Sequence, residues 1–181
     1  MGKVYPAIDE KLSTFIAGQH VFFVATAPLG SNGHVNLSPK GLDSFRILND
    51  RTVAYLDFVG SGIETIAHLR ENGRIVIMFC AFDGPAKIVR LHGRGRVIEP
   101  ADLDFSALRS RFPNYAGVRS IIRIDCERIS DSCGDGVPLF RFEGHRTRIQ
   151  EWAETKGPEG LADYQRRKNV MSCDGLPGVT L

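Results

Sequence analysis

The stretch TVAYLDFVGSGIETIAHLRENG, residues 52–73, decides how this chain is read. Its first part, Val53 to Leu56, is apolar at consecutive positions, the pattern of a strand buried on both faces. Glycines at 60 and 62 interrupt it, Ser61 precedes a helical pattern with Glu64 three residues on, and Gly73 closes that helix. A helix start reached through glycines presents unpaired backbone N–H groups and the positive end of the helix dipole to whatever lies in front. A phosphate suits such a place. The plainer alternative is that Ser61 and Glu64 form a capping box and hold no ligand.

Working outward, RIVIMFCAF (74–82) has no polar face and reads as a core strand. Upstream, AIDEKLSTFIAGQ (7–19) spaces Ile8, Leu12, Phe15 and Ile16 as a packing helix. HVFFVATAP (20–28) and HVNLSP (34–39), separated by the turn SNG, form a hairpin with Lys40 at its exit. GLDSFRILNDR (41–51) reads as a loop. Downstream, AKIVRLHGRGRVIEP (86–100) puts Arg90, His92, Arg94 and Arg96 on one face and Val89, Leu91 and Val97 on the other, provided Gly93 and Gly95 introduce no bulge. PADLDFSALRSRF (100–112) reads as a helix and RSIIRIDCERIS (119–130) as a strand. SCGDGVP is a turn, PLFRFEG (138–144) a short strand, and RTRIQEWAETKG and PEGLADYQRRKN two helices divided at Gly157 and Pro158. The tail from Met171 has no periodicity and is expected to lie over the surface or a partner. Hairpin-linked strands interrupted by helices indicate a small antiparallel barrel of the α+β class.

Length and composition fit one globular unit. The chain has 181 residues, 43% of them hydrophobic, and such a chain buries roughly 70% of its unfolded surface. With 23 basic and 21 acidic residues the bulk charge does not point to nucleic acid. Cys80, Cys126, Cys133 and Cys173 are irregularly spaced, with no zinc-type pairing, so neither a metal nor a disulfide framework is expected and the setting is read as cytoplasmic. The start MGKVYPAIDE lacks a signal-peptide core, and Pro6 breaks the myristoylation pattern.

The order of three blocks, VNLSPKG, then YLDFVGSGIETIAHLRENGRIVIMFCAF, then KIVRLHGRGRV, resembles the flavin-binding split barrel of the pyridoxamine 5′-phosphate oxidase family. SCGDGVP and KNVMSCDGLPG resemble the C-terminal part of one branch of it. The resemblance runs from about His20 onward. It implies a six-stranded antiparallel split β-barrel with flanking helices, residues 1–145, and a C-terminal helical extension over 146–181. It also implies a homodimer with FMN at the subunit interface.

In that family the strand matching VNLSPK runs along the flavin ring, which implicates Val35, Asn36, Leu37 and Ser38, and the lysine at its end, here Lys40, meets the FMN phosphate. The residues matching GSGIET supply further phosphate donors, here Ser61 and Thr65. A phosphate dianion wants a cation and several N–H or O–H donors, a demand these residues meet on chemical grounds as well. Glu64, a carboxylate close to that anion, works against the placement unless it folds back onto the helix start.

The chain also departs from the oxidase. Glu64 and Thr65 stand where the oxidase has an arginine and lysine pair, Ile88 stands where it has a glutamine, and its C-terminal signature is not recognisable in SCGDGVPLFRFEG. The expectation is therefore an FMN-dependent oxidoreductase acting on a small substrate other than pyridoxamine phosphate, with a nicotinamide or organic donor. The alternative is a non-catalytic module that binds or stores flavin, haem or a deazaflavin. Readings of lesser weight are the basic face of residues 90–96 as an anion attractor or a solvated face, His34 and His68 as surface residues, Cys133 as a turn residue, and Trp152 in a packing stripe.

Overall fold

The computed structural model describes residues 2–180. Its frame is one antiparallel sheet of eight strands. β1 (Val4–Tyr5) and helix α1 (Glu10–Ala17) come first, then the hairpin β2 (Phe22–Thr26) and β3 (Asn36–Lys40). β4 (Phe45–Ile47), β5 (Thr52–Phe58), helix α2 (Glu64–Asn72) and β6 (Arg74–Cys80) follow. β7 (Ile88–Ile98), the short helix α3 (Phe105–Arg109), β8 (Val118–Ser132) and α4 (Arg148–Lys168) complete the order. The strands lie in the order β3-β2-β6-β7-β8-β5-β4, with β1 added on β8.

The sheet curls so that strands far apart in this order meet across the core. Phe45 of β4 packs against Phe22 of β2 at 5.2 Å and Phe79 of β6 at 5.0 Å between ring centroids. The curled antiparallel half-barrel with flanking helices is the α+β split-barrel class expected from the residues. The strand count exceeds the expected six because two short strands pair along the margins: β1 on β8, and β4, which forms inside the expected loop 41–51 by pairing with β5.

β5 explains why its sequence is apolar on both faces. Val53 and Tyr55 enter the main core with Ile77, Leu91 and Ile122, whereas Ala54 and Leu56 face a second cluster with Ile98, Phe112 and Ile121. β7 keeps its alternation because the irregularity falls on its partner: His92 pairs with Arg128 and Gly93 with Cys126, so Glu127 of β8 is the extra residue. Arg94 reaches that Glu127 at 3.2 Å, Arg96 reaches Asp104 at 2.9 Å, and Arg90 donates to Ser132 at 2.9 Å, which commits much of the basic face to internal partners.

Four local expectations are corrected. Ser61 does not cap α2: the N-cap is the buried Ile63, with no side-chain cap, and Glu64 Oε2 accepts the Ile63 N–H at 3.0 Å. Burying Ile63 moves the helix start past the glycines. The helix expected over 100–112 shrinks to α3, because Asp102 accepts the Glu99 N–H at 2.7 Å and holds a turn there. Residues 138–144 form no strand. His68 is fully buried in α2, not on the surface.

The two expected C-terminal helices are present as one element broken at Gly157 (φ 63°, ψ 174°), whose halves meet where Trp152 packs edge-on against Tyr164 at 5.1 Å. The tail returns over α2: Asn169, fully buried, donates to Gly60 O at 2.8 Å, and Val179 joins the main core. No helix among the described residues is long and apolar enough to cross a membrane.

A Cβ at Gly93 would stand 2.2 Å from the Asp125 carbonyl oxygen. Gly93→Ala should therefore force β7 away from β8 and cost roughly 1–3 kcal/mol, the range for overpacking. A lowered urea midpoint checks this, and an unchanged midpoint would show that the close approach yields freely.

Candidate functional site

An open cleft of about 800 Å³ runs between the end of β3, the junction from β5 to α2, and the irregular segment 140–149. β3 supplies Asn36, Ser38 and Lys40, because every second residue of a strand faces the same side. Lys40 joins no salt bridge among the described residues, and the exposed Arg141 and Arg146 line the same cleft. The site is thus rich in cations, with Glu64 and Asp83 as acids on its wall and Asp57 already paired with Arg119.

The cleft wall is held by a chain of side-chain hydrogen bonds. Asn36 Nδ2 donates to Thr65 Oγ1 at 3.0 Å and to Thr26 Oγ1 at 3.2 Å, and Ser38 Oγ donates to Asn36 Oδ1 at 3.2 Å. Thr26 Oγ1 lies 2.9 Å from His68 Nδ1. Thr26 Oγ1 thus accepts from Asn36 and pairs with His68 Nδ1, while His68 Nε2 is buried without a partner. Burial pushes the His68 pKa down, in keeping with a neutral ring. Thr65 Oγ1 already accepts from Asn36, so its hydrogen is available to a ligand or to the buried Tyr55 hydroxyl, which has no hydrogen bond of good geometry. Burial raises the Tyr55 pKa well above the usual phenol value and keeps it protonated.

A buried ion pair forms the floor. Arg119 Nε donates to Asp57 Oδ2 at 2.8 Å, with side chains only 5% and 2% exposed, and Arg119 Nη1 donates to Gly62 O at 3.0 Å. Ser120 adds a contact to the same carboxylate oxygen at 3.3 Å. The roof is aromatic. Phe142 stacks on His20 at 3.7 Å and 11°, Phe140 packs on Phe82 at 5.4 Å, and Phe140 N donates to Phe82 O at 2.8 Å.

Of the residues singled out in the sequence, Asn36, Ser38, Lys40 and Thr65 come together on this cleft. Val35 and Leu37, 73% and 64% exposed, and Ser61 are not among its lining residues. Glu64 lines the cleft, but its carboxylate is engaged by the Ile63 N–H and, at 3.4 Å, by the Cys173 N–H. Sequence reasoning missed Asp57, Arg119, His68 and the roof of residues 140–146. Asp57 carried a usable signal, since a lone acid in a strand buried on both faces requires a partner.

The sequence profile described as pyridoxamine 5′-phosphate oxidase matches residues 8–133. A pyridoxamine 5′-phosphate oxidase family protein of Aspergillus flavus, ustO, is 39% identical over 192 aligned residues, spanning 97% of this chain and 77% of that protein. Among solved structures, HupZ of Group A Streptococcus superposes with a TM-score of 0.52 at 23% identity, covering 67% of this chain and 91% of that one. An FAD-binding protein of Mesorhizobium loti gives 0.51 at 14% identity, covering 72% and 96%. At these identities the structures speak for the fold alone.

Removing one member of the floor pair leaves its partner charged and buried. Arg119→Met alone should destabilise the protein by roughly 3–5 kcal/mol, and Arg119→Met with Asp57→Leu by much less. Chemical unfolding of both single variants and the double variant measures the coupling; additive losses would show that the two charges do not depend on each other.

Proposed function

The chain belongs to the pyridoxamine 5′-phosphate oxidase family, and on that premise we propose that it binds a flavin, FMN, in the cleft beside β3 and serves as an oxidoreductase for a small substrate. The observation that carries this reading is the convergence of Lys40, Asn36, Ser38 and Thr65 on one wall of a cleft whose volume lies in the range of about 300–1,000 Å³ usual for cofactor sites.

The residues fit the group. No side chain caps α2, so its first-turn N–H groups remain for an anion, and the Thr65 hydroxyl, which accepts from Asn36, stands beside them. Lys40 supplies a cation to the same wall. Glu64, the residue most at odds with a phosphate, is occupied by two backbone N–H groups. Asn36 is fixed by its own three hydrogen bonds, so its backbone and that of Ser38 offer a rigid edge to a planar ring. Phe142 on His20 and Phe140 on Phe82 narrow the opening to water.

A bound flavin supplies the two-electron chemistry; the protein's part is binding, orientation and exclusion of solvent. The departures at Glu64, Thr65 and Ile88 favour a substrate other than pyridoxamine phosphate. Homodimerisation is part of the same reading. It is supported by exposed Leu37 on the edge strand β3 and Val35 just before it, and by the neighbouring Leu139 and Phe140, 77% and 61% exposed.

Incubation with FMN, dialysis and a visible spectrum test the binding directly; a protein left colourless would overturn it. A hydrogen bond to a charged group is worth about 1.5–3 kcal/mol. Lys40→Ala and Thr65→Ala should therefore each weaken FMN binding, the lysine variant by roughly ten- to a hundredfold. Unchanged affinity in both would move the phosphate elsewhere. Anaerobic bleaching of the bound flavin by a nicotinamide donor separates a redox enzyme from a storage protein.

A further inference from the structure

Apart from the residues that line the cleft, two loop tips distant in sequence meet near the start of α2. One is the turn of the β2–β3 hairpin, which carries His34. The other is the turn of the tail, where Met171 bridges to Pro177 and Cys173 and Asp174 stand at the tip. A ring nitrogen of His34, Cys173 Sγ and a carboxylate oxygen of Asp174 all lie within 4.8 Å of one another.

From this juxtaposition we propose that His34, Cys173 and Asp174 form a binding site for zinc or a similar borderline-soft divalent cation, with water in the fourth position. Nitrogen, thiolate and carboxylate together suit Zn²⁺ better than the hard cations, which prefer oxygen alone. In a tetrahedral site with metal–ligand bonds of about 2.0–2.3 Å, the ligand atoms stand roughly 3.4–3.8 Å apart. Rotation of exposed side chains is enough to close the remaining gap.

The site is preorganised. Asp174 holds the hairpin tip at two points, accepting the His34 backbone N–H at 2.7 Å and lying 2.6 Å from His34 Nδ1. Its side chain is 12% exposed against 79% for His34, so the carboxylate is the fixed member and the imidazole the adjustable one. The tail turn is itself braced, with the Gly175 N–H on Ser172 O and the Leu176 N–H on Ser172 Oγ, both at 3.0 Å, and Gly175 at φ 76°. Gly33 permits the approach, because a Cβ there would stand 3.2 Å from Asp174 Oδ2 and 2.3 Å from Pro28 Cγ.

The Asp174 and Glu64 carboxylates both stand beside Cys173, Glu64 Oε1 accepting its backbone N–H at 3.4 Å. A bound divalent ion takes the thiolate, the thiol proton leaving to solvent. It would also join the tail to the hairpin only two residues before Asn36, stiffening the strand that lines the cleft. The spacing of His34 from Asp174, 140 residues, hides this site from any sequence motif.

Cobalt(II) reports the site without reference to flavin. Reduced, chelator-treated protein titrated with Co²⁺ should take up one equivalent and develop a thiolate-to-cobalt charge-transfer band with the visible bands of a four-coordinate ion. Cys173→Ser should abolish the charge-transfer band, and His34→Ala and Asp174→Asn should each weaken binding by at least about tenfold, the scale that even an outer partner of a metal ligand commands. Cys133→Ser, at the other exposed cysteine, should change nothing. Equal melting temperatures of the metal-free variants would establish that all are folded. Zn²⁺ should raise the melting temperature of the wild-type protein alone. No charge-transfer band, a band that survives Cys173→Ser, or unchanged affinity in His34→Ala would overturn the proposal.

Discussion

The buried pair of Arg119 and Asp57 sets the geometry on which the rest of the site rests. A carboxylate inside a two-faced strand is tolerable only with its counter-charge and hydrogen bonds in place. Arg119 meets that need from β8 and donates from Nη1 to the Gly62 carbonyl. One side chain thereby fixes the end of β5 and the glycine bend beyond it. Asn169 holds the Gly60 carbonyl from the other side, so the junction into α2 is gripped by residues far away in sequence.

With that junction fixed, α2 places Thr65 beside Asn36, and a polar chain from Ser38 through Asn36 and Thr26 to His68 follows. Within it Ser38 donates to the Asn36 side-chain oxygen, and the Asn36 amide donates to Thr26 and Thr65. The result is a hydrogen-bonded wall in a cleft that Lys40, Arg141 and Arg146 also line. Hydrogen-bonded polar groups and exposed cations thus line one cleft, a useful combination for a ligand with a planar part and an anionic part.

Much of the fold was legible because it rests on local periodicity. The hairpin of β2 and β3, the two-faced β5, the all-apolar β6, the alternating β7 and the break at Gly157 all follow from spacing and from glycine or proline chemistry. What failed was local pattern overridden by burial or by a turn. Ser61 and Glu64 match a capping box, yet placing Ile63 in the core shifts the helix start by two residues. His68 looks like a surface helix residue until α2 packs onto the sheet and removes it from water. The short β4 forms only because β5 offers it an edge.

The sequence by itself determined the fold class and the family, and its resemblance to that family named four residues that line the cleft, Asn36, Ser38, Lys40 and Thr65, because local periodicity and the order of blocks are properties of the chain read along its length. Only the tertiary structure decided that Val35, Leu37 and Ser61 stand off the cleft, that Asp57 finds Arg119, and that His34 meets Cys173 and Asp174. The physical reason is the same in each case. Which face of a strand is covered, and which distant side chain completes a charge or a ligand set, depends on how the sheet curls and where the tail returns, and no local spacing encodes either.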